Sequence, residues 1–305
     1  MGKIAFVFSG QGAQAPGMGK ALYEASPAAR RIFDAADALR PGTSKQCFEG
    51  TEEELKQTAN TQPCMVAMEL AAAAAAEEAG LRADMAAGFS LGELSALGYA
   101  GALDFETLFP LVCLRGRLMQ EASEAVPTAM AAVLKLTDDK VEELCAQFGH
   151  MYPVNYNCPG QVTVSGLEAE MKEFSSAVKA AGGRAMPLQV RGAFHSRYMK
   201  DAALAFRAEL ERRSWGALRV PVYANRTGEP YGADVPALLR EQMDHPVRWE
   251  RSVHNMIAAG ADTFVEFGPG TTLCGLIGKT DKAVRCFGVS TPEGLEAVLR
   301  EVGQC

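Results

Sequence analysis

The stretch Gly88-Phe-Ser-Leu-Gly92 sets a serine between two glycines, where a short apolar run meets a helical pattern. A GxSxG turn is so sharp that its serine sits in strained backbone geometry, and the residues two before and two after it must lack side chains. The turn therefore requires a strand on one side and a helix on the other. The run from Asp84 to Ala87 and the helical pattern from Leu91 to Ala102 supply both. In that context the Ser90 hydroxyl is expected at a helix N-terminus, where free backbone N–H groups and the helix dipole favour developing negative charge. The motif arises easily by chance in a chain with 30 glycines, so its surroundings carry the weight.

A chain of 305 residues, 48% of them hydrophobic, can bury a large core, and one large domain with an insertion or two unequal domains is expected. The net charge of −7 and the absence of a dense Lys/Arg stripe with interleaved aromatics argue against a nucleic-acid binder. Cysteines at 47, 64, 113, 145, 158, 274, 286 and 305 show no CxxC or Cys/His cluster, so neither a zinc site nor a disulfide framework is expected. Reduced thiols in a cytoplasmic protein are the simplest reading. Lys3 to Ser9 is already strand-like, without a basic, long-hydrophobic, cleavable pattern, and the apolar run Met65 to Ala76 is short and holds Glu69. Neither secretion nor membrane insertion is expected.

Lys3 to Ser9 reads as a strand buried on both faces of a parallel sheet. Gly10, Gly12 and Ala15 after it match a dinucleotide fingerprint taken literally. Pro16 and Gly17 interrupt the helix that should receive a pyrophosphate, and no strand ending in an acidic residue follows about twenty residues on. Such a loop can instead aim backbone N–H groups at an oxyanion, with Gln11 as the donor. Thr61-Gln62-Pro63 is expected to open an alanine-rich helix to about Gly80. Asp104 is expected to cap a helix to about Glu124, kinked at Pro110. Helical spacing on that segment puts Leu108, Leu111, Val112, Leu118 and Met119 on one face with Arg115 among them, and Arg117 roughly opposite. An arginine on a buried stripe requires an anionic partner. An internal Asp or Glu would satisfy it, and so would a substrate carboxylate.

Beyond Pro127 the rhythm changes to strand (Met130 to Leu136), helix (Asp138 to Phe148), two strands (Met151 to Asn157, Gln161 to Gly166), helix (Glu168 to Ala181) and strand (Ala185 to Val190). This βαββαβ order resembles a ferredoxin-like unit inserted into a larger domain. At its exit stands Arg191-Gly-Ala-Phe-His-Ser196, followed by a helix expected from Tyr198 to Arg213. A serine nucleophile needs a base with a pKa near neutrality, and the chain offers four histidines. His195, in a small-residue turn after a buried strand, is the best placed; a purely structural histidine is the alternative.

GQGAQ at 10–14, TQP at 61–63, GFSLGE at 88–93, RGRLMQEA at 115–122, NYNCPGQVTVSG at 155–166, GAFHS at 192–196 and FGPG at 267–270 share one order and spacing. In this the whole chain resembles the malonyl-CoA:acyl carrier protein transacylases. The resemblance implies an α/β-hydrolase-like large domain with a parallel sheet core (1–126 and 192–305) and an inserted ferredoxin-like small domain (127–191). It implies a ping-pong malonyl transfer for fatty acid biosynthesis, with Ser90 as nucleophile, His195 as base and then acid, and Arg115 holding the malonyl carboxylate. It further implies an oxyanion hole from the backbone N–H groups of Gln11 and Leu91, a cleft position for Asn157 beside Asn155, and a backbone carbonyl at Gln242 orienting His195. Malonyl-CoA is the implied donor and acyl carrier protein the partner, which brings its own phosphopantetheine. No permanently bound cofactor or metal is implied, and the enzyme is expected to be a monomer. A trans-acting acyltransferase of a polyketide assembly line and a serine thioesterase are the alternatives. Arg191, Arg197 and Lys200 are candidates for carrier contact only by nearness to His195. One departure stands out: the family's usual histidine before the serine is Phe89 here.

Overall fold

The computed structural model describes residues 2–302 except the Arg191 side chain, so Cys305 and any role of that side chain lie outside the described residues. Strands β1 (Lys3–Phe8), β2 (Met85–Gly88), β3 (Thr128–Leu134), β4 (Met151–Cys158) and β5 (Gln161–Leu167) are followed by β6 (Arg184–Arg191), β7 (Val222–Tyr223), β8 (Ala261–Phe267) and β9 (Arg285–Val289). One sheet has the order β7-β2-β1-β8-β9, and every neighbouring pair in it is parallel.

At its centre, β1 feeds two cores. Phe6 and Phe8 pack with Phe267 and Tyr99 beneath the helices Thr58–Glu78 and Phe105–Ala125. Ala5 and Val7 join Trp249, Val253 and Ile277, from the helices Trp249–Ala258 and Thr272–Thr280, on the other face. A strand covered by helices on both faces cannot alternate apolar with polar residues, which is why 3–8 reads as a continuous apolar run.

The second sheet is antiparallel with the order β4-β5-β3-β6. Val141 and Leu144 of the helix Asp138–Cys145, and Phe174 and Val178 of the helix Glu168–Ala180, share its core with Val133, Val162 and Val164. This is the ferredoxin-like arrangement. The antiparallel sheet is tied to the larger unit at residue 247, in the link between the helices Val235–Asp244 and Trp249–Ala258: Tyr156 N–H donates to the Val247 carbonyl and Val247 N–H to that of Val154, each at 2.9 Å. Between them lies a cleft of about 840 Å³, lined by Gln11 and Thr58 on one side, Gln120 and Ser123 on the helix between, and Thr128 and Val190 on the other.

Three expectations require correction. The helix expected to open at Thr61 begins at Thr58 and carries Pro63 inside it. An extra turn forms because Gln120 Oε1 accepts the Ala59 N–H at 3.0 Å, capping from outside a donor that no residue of its own segment can satisfy. The segment expected as one helix from Tyr198 is a 3₁₀ turn, Arg197–Met199, leading into the helix Lys200–Leu210. Here Ser196 Oγ accepts from Tyr198 N–H and caps the turn. Leu118, expected on the buried face of its helix, is half-buried.

The elbow follows β2. A Cβ at 88 would overlap the Gly92 carbonyl, and one at 92 would overlap the main-chain oxygens of Phe8 and Ser9. Both positions are therefore closed to any side chain. Gly92→Ala is expected to lose on the order of 3 kcal/mol of stability in urea unfolding. Gly275→Ala, where an added Cβ meets nothing within 4 Å in an exposed helical position, should instead gain up to about 1 kcal/mol.

Candidate active site

Ser90 has φ 53°, a left-handed conformation that costs a non-glycine residue about 1–3 kcal/mol. Asn225, two residues past β7, holds it there. Its Oδ1 accepts the Ser90 N–H at 2.7 Å and its Nδ2 donates to the Gly88 carbonyl at 2.6 Å, so one amide spans the turn.

His195 lies at the exit of the antiparallel unit with φ 61°, its main-chain N–H donating to the Met243 carbonyl at 3.2 Å. Its Nε2 is 2.7 Å from Ser90 Oγ and its Nδ1 is 2.7 Å from the Gln242 carbonyl. A carbonyl can only accept, so the neutral ring carries its proton on Nδ1 and turns the Nε2 lone pair to the serine hydroxyl. Burial and, second, the Arg115 charge push the imidazole down to about 4, against the support of the Gln242 carbonyl. A histidine held neutral in this way is ready to accept the serine proton at physiological pH.

Arg115 is fully buried. Its Nη1 donates to Gln62 Oε1 at 2.9 Å and its Nη2 to Gln242 Oε1 at 2.8 Å, with Nη2 3.4 Å from Ser90 Oγ. Among the described residues its Nε has no partner, and no carboxylate lies within ion-pair distance. Burial draws its pKa down to about 10, opposed by the charge of Glu93, so the guanidinium stays protonated at neutral pH. The helical-face argument places Arg115 inside and Arg117 outside, and both are found so. The internal acid that could have satisfied Arg115 by direct contact is not there.

Beneath the elbow Glu93 is fully buried, accepting from Asn225 N–H at 3.0 Å, the Tyr231 hydroxyl at 2.6 Å and Gln242 Nε2 at 2.7 Å. Burial raises it to about 7 despite those donors and the nearby Arg115 charge. Gln242 Nε2 also donates to the Ser90 carbonyl. The N–H groups of Gln11 and Leu91 make no hydrogen bond to another described residue, so both can serve a ligand oxygen. The Gln11 side chain donates to Thr58 Oγ1 at 3.1 Å. Asn157 is not joined to this cluster: its Nδ2 donates to Thr163 at 3.0 Å within the antiparallel sheet, and its buried Oδ1 has no partner. Phe89 is half-buried and meets Trp249 edge-on, ring centroids 5.7 Å apart.

Sequence reasoning did not assign roles to Gln62, Glu93 and Asn225, or to the Gln242 side chain. Glu93 left a signal, an acid within the apolar run Leu91 to Ala100. Asn225 left none, since its partners are 135 and 137 residues away.

A parallel sheet that delivers a serine on a tight elbow, within reach of a neutral histidine, defines a serine-dependent acyl-transfer enzyme of the α/β class. The family described as acyl transferase domain matches residues 5–290. Malonyl CoA-acyl carrier protein transacylase of Bacillus subtilis (strain 168) is 41% identical over 98% of this chain and 97% of its own. The crystal structure of the transacylase of that name from Clostridium perfringens superposes with a TM-score of 0.95 at 34% identity, covering 99% of this chain and 98% of the other. A malonyl-transacylase solved in complex with a type II polyketide synthase acyl-carrier protein gives 0.94 at 34% identity, covering 98% and 99%. The chain belongs to the malonyl CoA-acyl carrier protein transacylase family.

The depressed His195 pKa sets the expected pH behaviour. kcat/KM should hold level from pH 8 to about 5 and fall with an apparent pKa near 4, where an unperturbed histidine would give a limb near 6.5. Because the native state binds fewer protons at His195 than the unfolded chain between those two values, this group makes stability fall as pH drops through that window. Glu93, raised from 4.5 to about 7, acts in the opposite sense and makes stability fall as pH rises between them. Imidazole NMR titration checks the first: in Arg115→Gln the His195 pKa should move up.

Proposed function

We propose that this chain moves the malonyl group from malonyl-CoA to the phosphopantetheine thiol of acyl carrier protein through an acyl-Ser90 intermediate. Ser90 Oγ attacks the thioester carbon while His195 Nε2 takes its proton. The oxyanion is received by the Gln11 and Leu91 N–H groups. Collapse breaks the C–S bond, and His195 returns the proton to the departing CoA sulfur. The carrier thiol then repeats the sequence in reverse order, giving its proton to His195 and attacking the acyl-serine. The Gln242 carbonyl keeps the imidazole in the tautomer both halves need.

The observation that carries this reading is Arg115: a fully buried cation, contacted only by neutral groups, 3.4 Å from the nucleophile. A malonyl carboxylate lies three bonds beyond the oxygen of the acyl-serine ester, within reach of that guanidinium. A thioesterase clearing neutral acyl groups gains nothing from it. We place the pantetheine arm in the cleft beside Gln11, with residues 1–126 and 192–305 as the unit carrying the nucleophile and 127–191 as the unit facing it. The supply of malonyl groups to fatty acid synthesis in the cytoplasm, by a monomer with no permanent cofactor, fits this chemistry. Among the described residues no helix is long and apolar enough to cross a membrane.

Intact-protein mass spectrometry after mixing with malonyl-CoA should show a malonyl adduct that is absent from Ser90→Ala. Discharge of that adduct should be faster with holo-carrier protein than with water. Arg115→Ala should lose on the order of 10⁴ in preference for malonyl-CoA over acetyl-CoA, since rejection of a ligand lacking the paired group then disappears. Retained preference would remove Arg115 from its role.

A further inference from the structure

We infer that Glu93 is the positioning residue for carboxylate selection, acting on Arg115 through the side-chain amide of Gln242; this rests on the malonyl-transfer reading above. The amide stands between the two charged groups. Its Nε2 donates to Glu93 Oε2 at 2.7 Å and to the Ser90 carbonyl, while its Oε1 accepts from Arg115 Nη2 at 2.8 Å. An amide can be rotated by half a turn at little steric cost, and the reversed form would aim N–H groups at the guanidinium. Two acceptors on the far side forbid the reversed form, the Ser90 carbonyl and Glu93. The ionised carboxylate, like the carbonyl, offers oxygens only, so Nε2 faces them and Oε1 faces Arg115.

Glu93 is itself fixed. Its other oxygen accepts from the Asn225 main-chain N–H at 3.0 Å and from the Tyr231 hydroxyl at 2.6 Å. The same Asn225 holds the elbow through Ser90 N–H and the Gly88 carbonyl. The orientation of the arginine fork is thereby referenced to the turn that presents the nucleophile. Gln62, on the other arm of the fork, comes from the helix Thr58–Glu78 and leaves Nε unpaired.

Glu93→Gln makes the test specific. The Asn225 N–H cannot become an acceptor, so the oxygen of the new amide stays with it and an NH₂ faces Gln242. The Gln242 amide must then reverse or lose its contact. The measurement is kcat/KM for malonyl-CoA and acetyl-CoA, with the melting temperature recorded for each variant. In Glu93→Gln the malonyl-to-acetyl ratio should fall by about 10² or more, through a raised malonyl-CoA KM, while the acetyl rate stays within about 3-fold of wild type. Glu93→Asp, which keeps the charge but draws it back from Gln242, should lower the ratio in the same direction and serves if the first variant does not fold. In the pair Glu93→Gln with Gln242→Met, the loss should not exceed that of Gln242→Met alone, as expected of two groups in one relay. An unchanged ratio in both Glu93 variants would overturn the assignment, as would an equal loss toward both thioesters. A wild-type chain without malonyl preference would instead sink the malonyl-transfer reading on which it rests.

Discussion

The structure depends on keeping a guanidinium charge fully buried without a carboxylate in contact. Stripping a cation of water costs several kcal/mol even after relaxation, and two neutral amide oxygens recover only part of it. The rest of the site is shaped by that deficit. Glu93, one amide away, offsets it only in part, since burial draws its pKa up to about 7. His195, itself buried and then exposed to the same positive field, is kept neutral at physiological pH. In the proposed function a malonyl carboxylate arriving at Arg115 would complete the compensation, turning the deficit into selectivity for a charged acyl group, whereas an acetyl group would leave it as it was.

The scaffold meets this demand by converging four chain segments on one turn. The elbow comes from β2, Arg115 from the helix Phe105–Ala125, His195 from the exit of β6, and Gln242 from the helix Val235–Asp244. None of these is adjacent in sequence: the elbow stands at the C-terminal end of β2, where an α/β sheet places its ligands, and the other three reach it from two helices and from the antiparallel unit. Gln242 is the point of greatest economy: its carbonyl sets the histidine tautomer and its side chain sets the arginine. A substitution there can keep the first function and lose the second, because one belongs to the backbone.

What was legible in the sequence was whatever is written locally. The apolar run of β1, the glycine spacing of the elbow and the βαββαβ rhythm each express a steric or periodic rule within a dozen residues. Arg115 was legible too, since helical spacing put it among leucines where a charge has no ordinary place. The two residues of β7 and the mixed Arg-Cys-Phe-Gly-Val of β9 were not read as strands, because short sheet members take their conformation from neighbours. The start of the helix at Thr58 failed for the same reason, its cap being supplied by Gln120 from another helix. Asn225 is the sharpest case. An asparagine in a loop looks like turn chemistry, and only the fold shows it spanning the elbow.

The arrangement of unpaired groups also bears on the second half of the proposed reaction. In the hydrogen-bonded cluster around Ser90, the acceptors are already engaged: Asn225 Oδ1 with Ser90 N–H, the Ser90 carbonyl and Glu93 with Gln242, and Gln62 and Gln242 with Arg115. The groups left free are donors, namely the N–H groups of Gln11 and Leu91 and the Nε of Arg115. Once Ser90 is acylated, His195 Nε2 is the one acceptor of that cluster released to a second nucleophile. A thiol brings one proton, and Nε2 takes it. A water molecule can give one proton to the same nitrogen, so the base alone does not distinguish the two nucleophiles. In the proposed reaction the acyl-serine faces one base and free donors, and what selects the thiol is its delivery: a bound pantetheine arm holds its sulfur at the ester, whereas water arrives unheld.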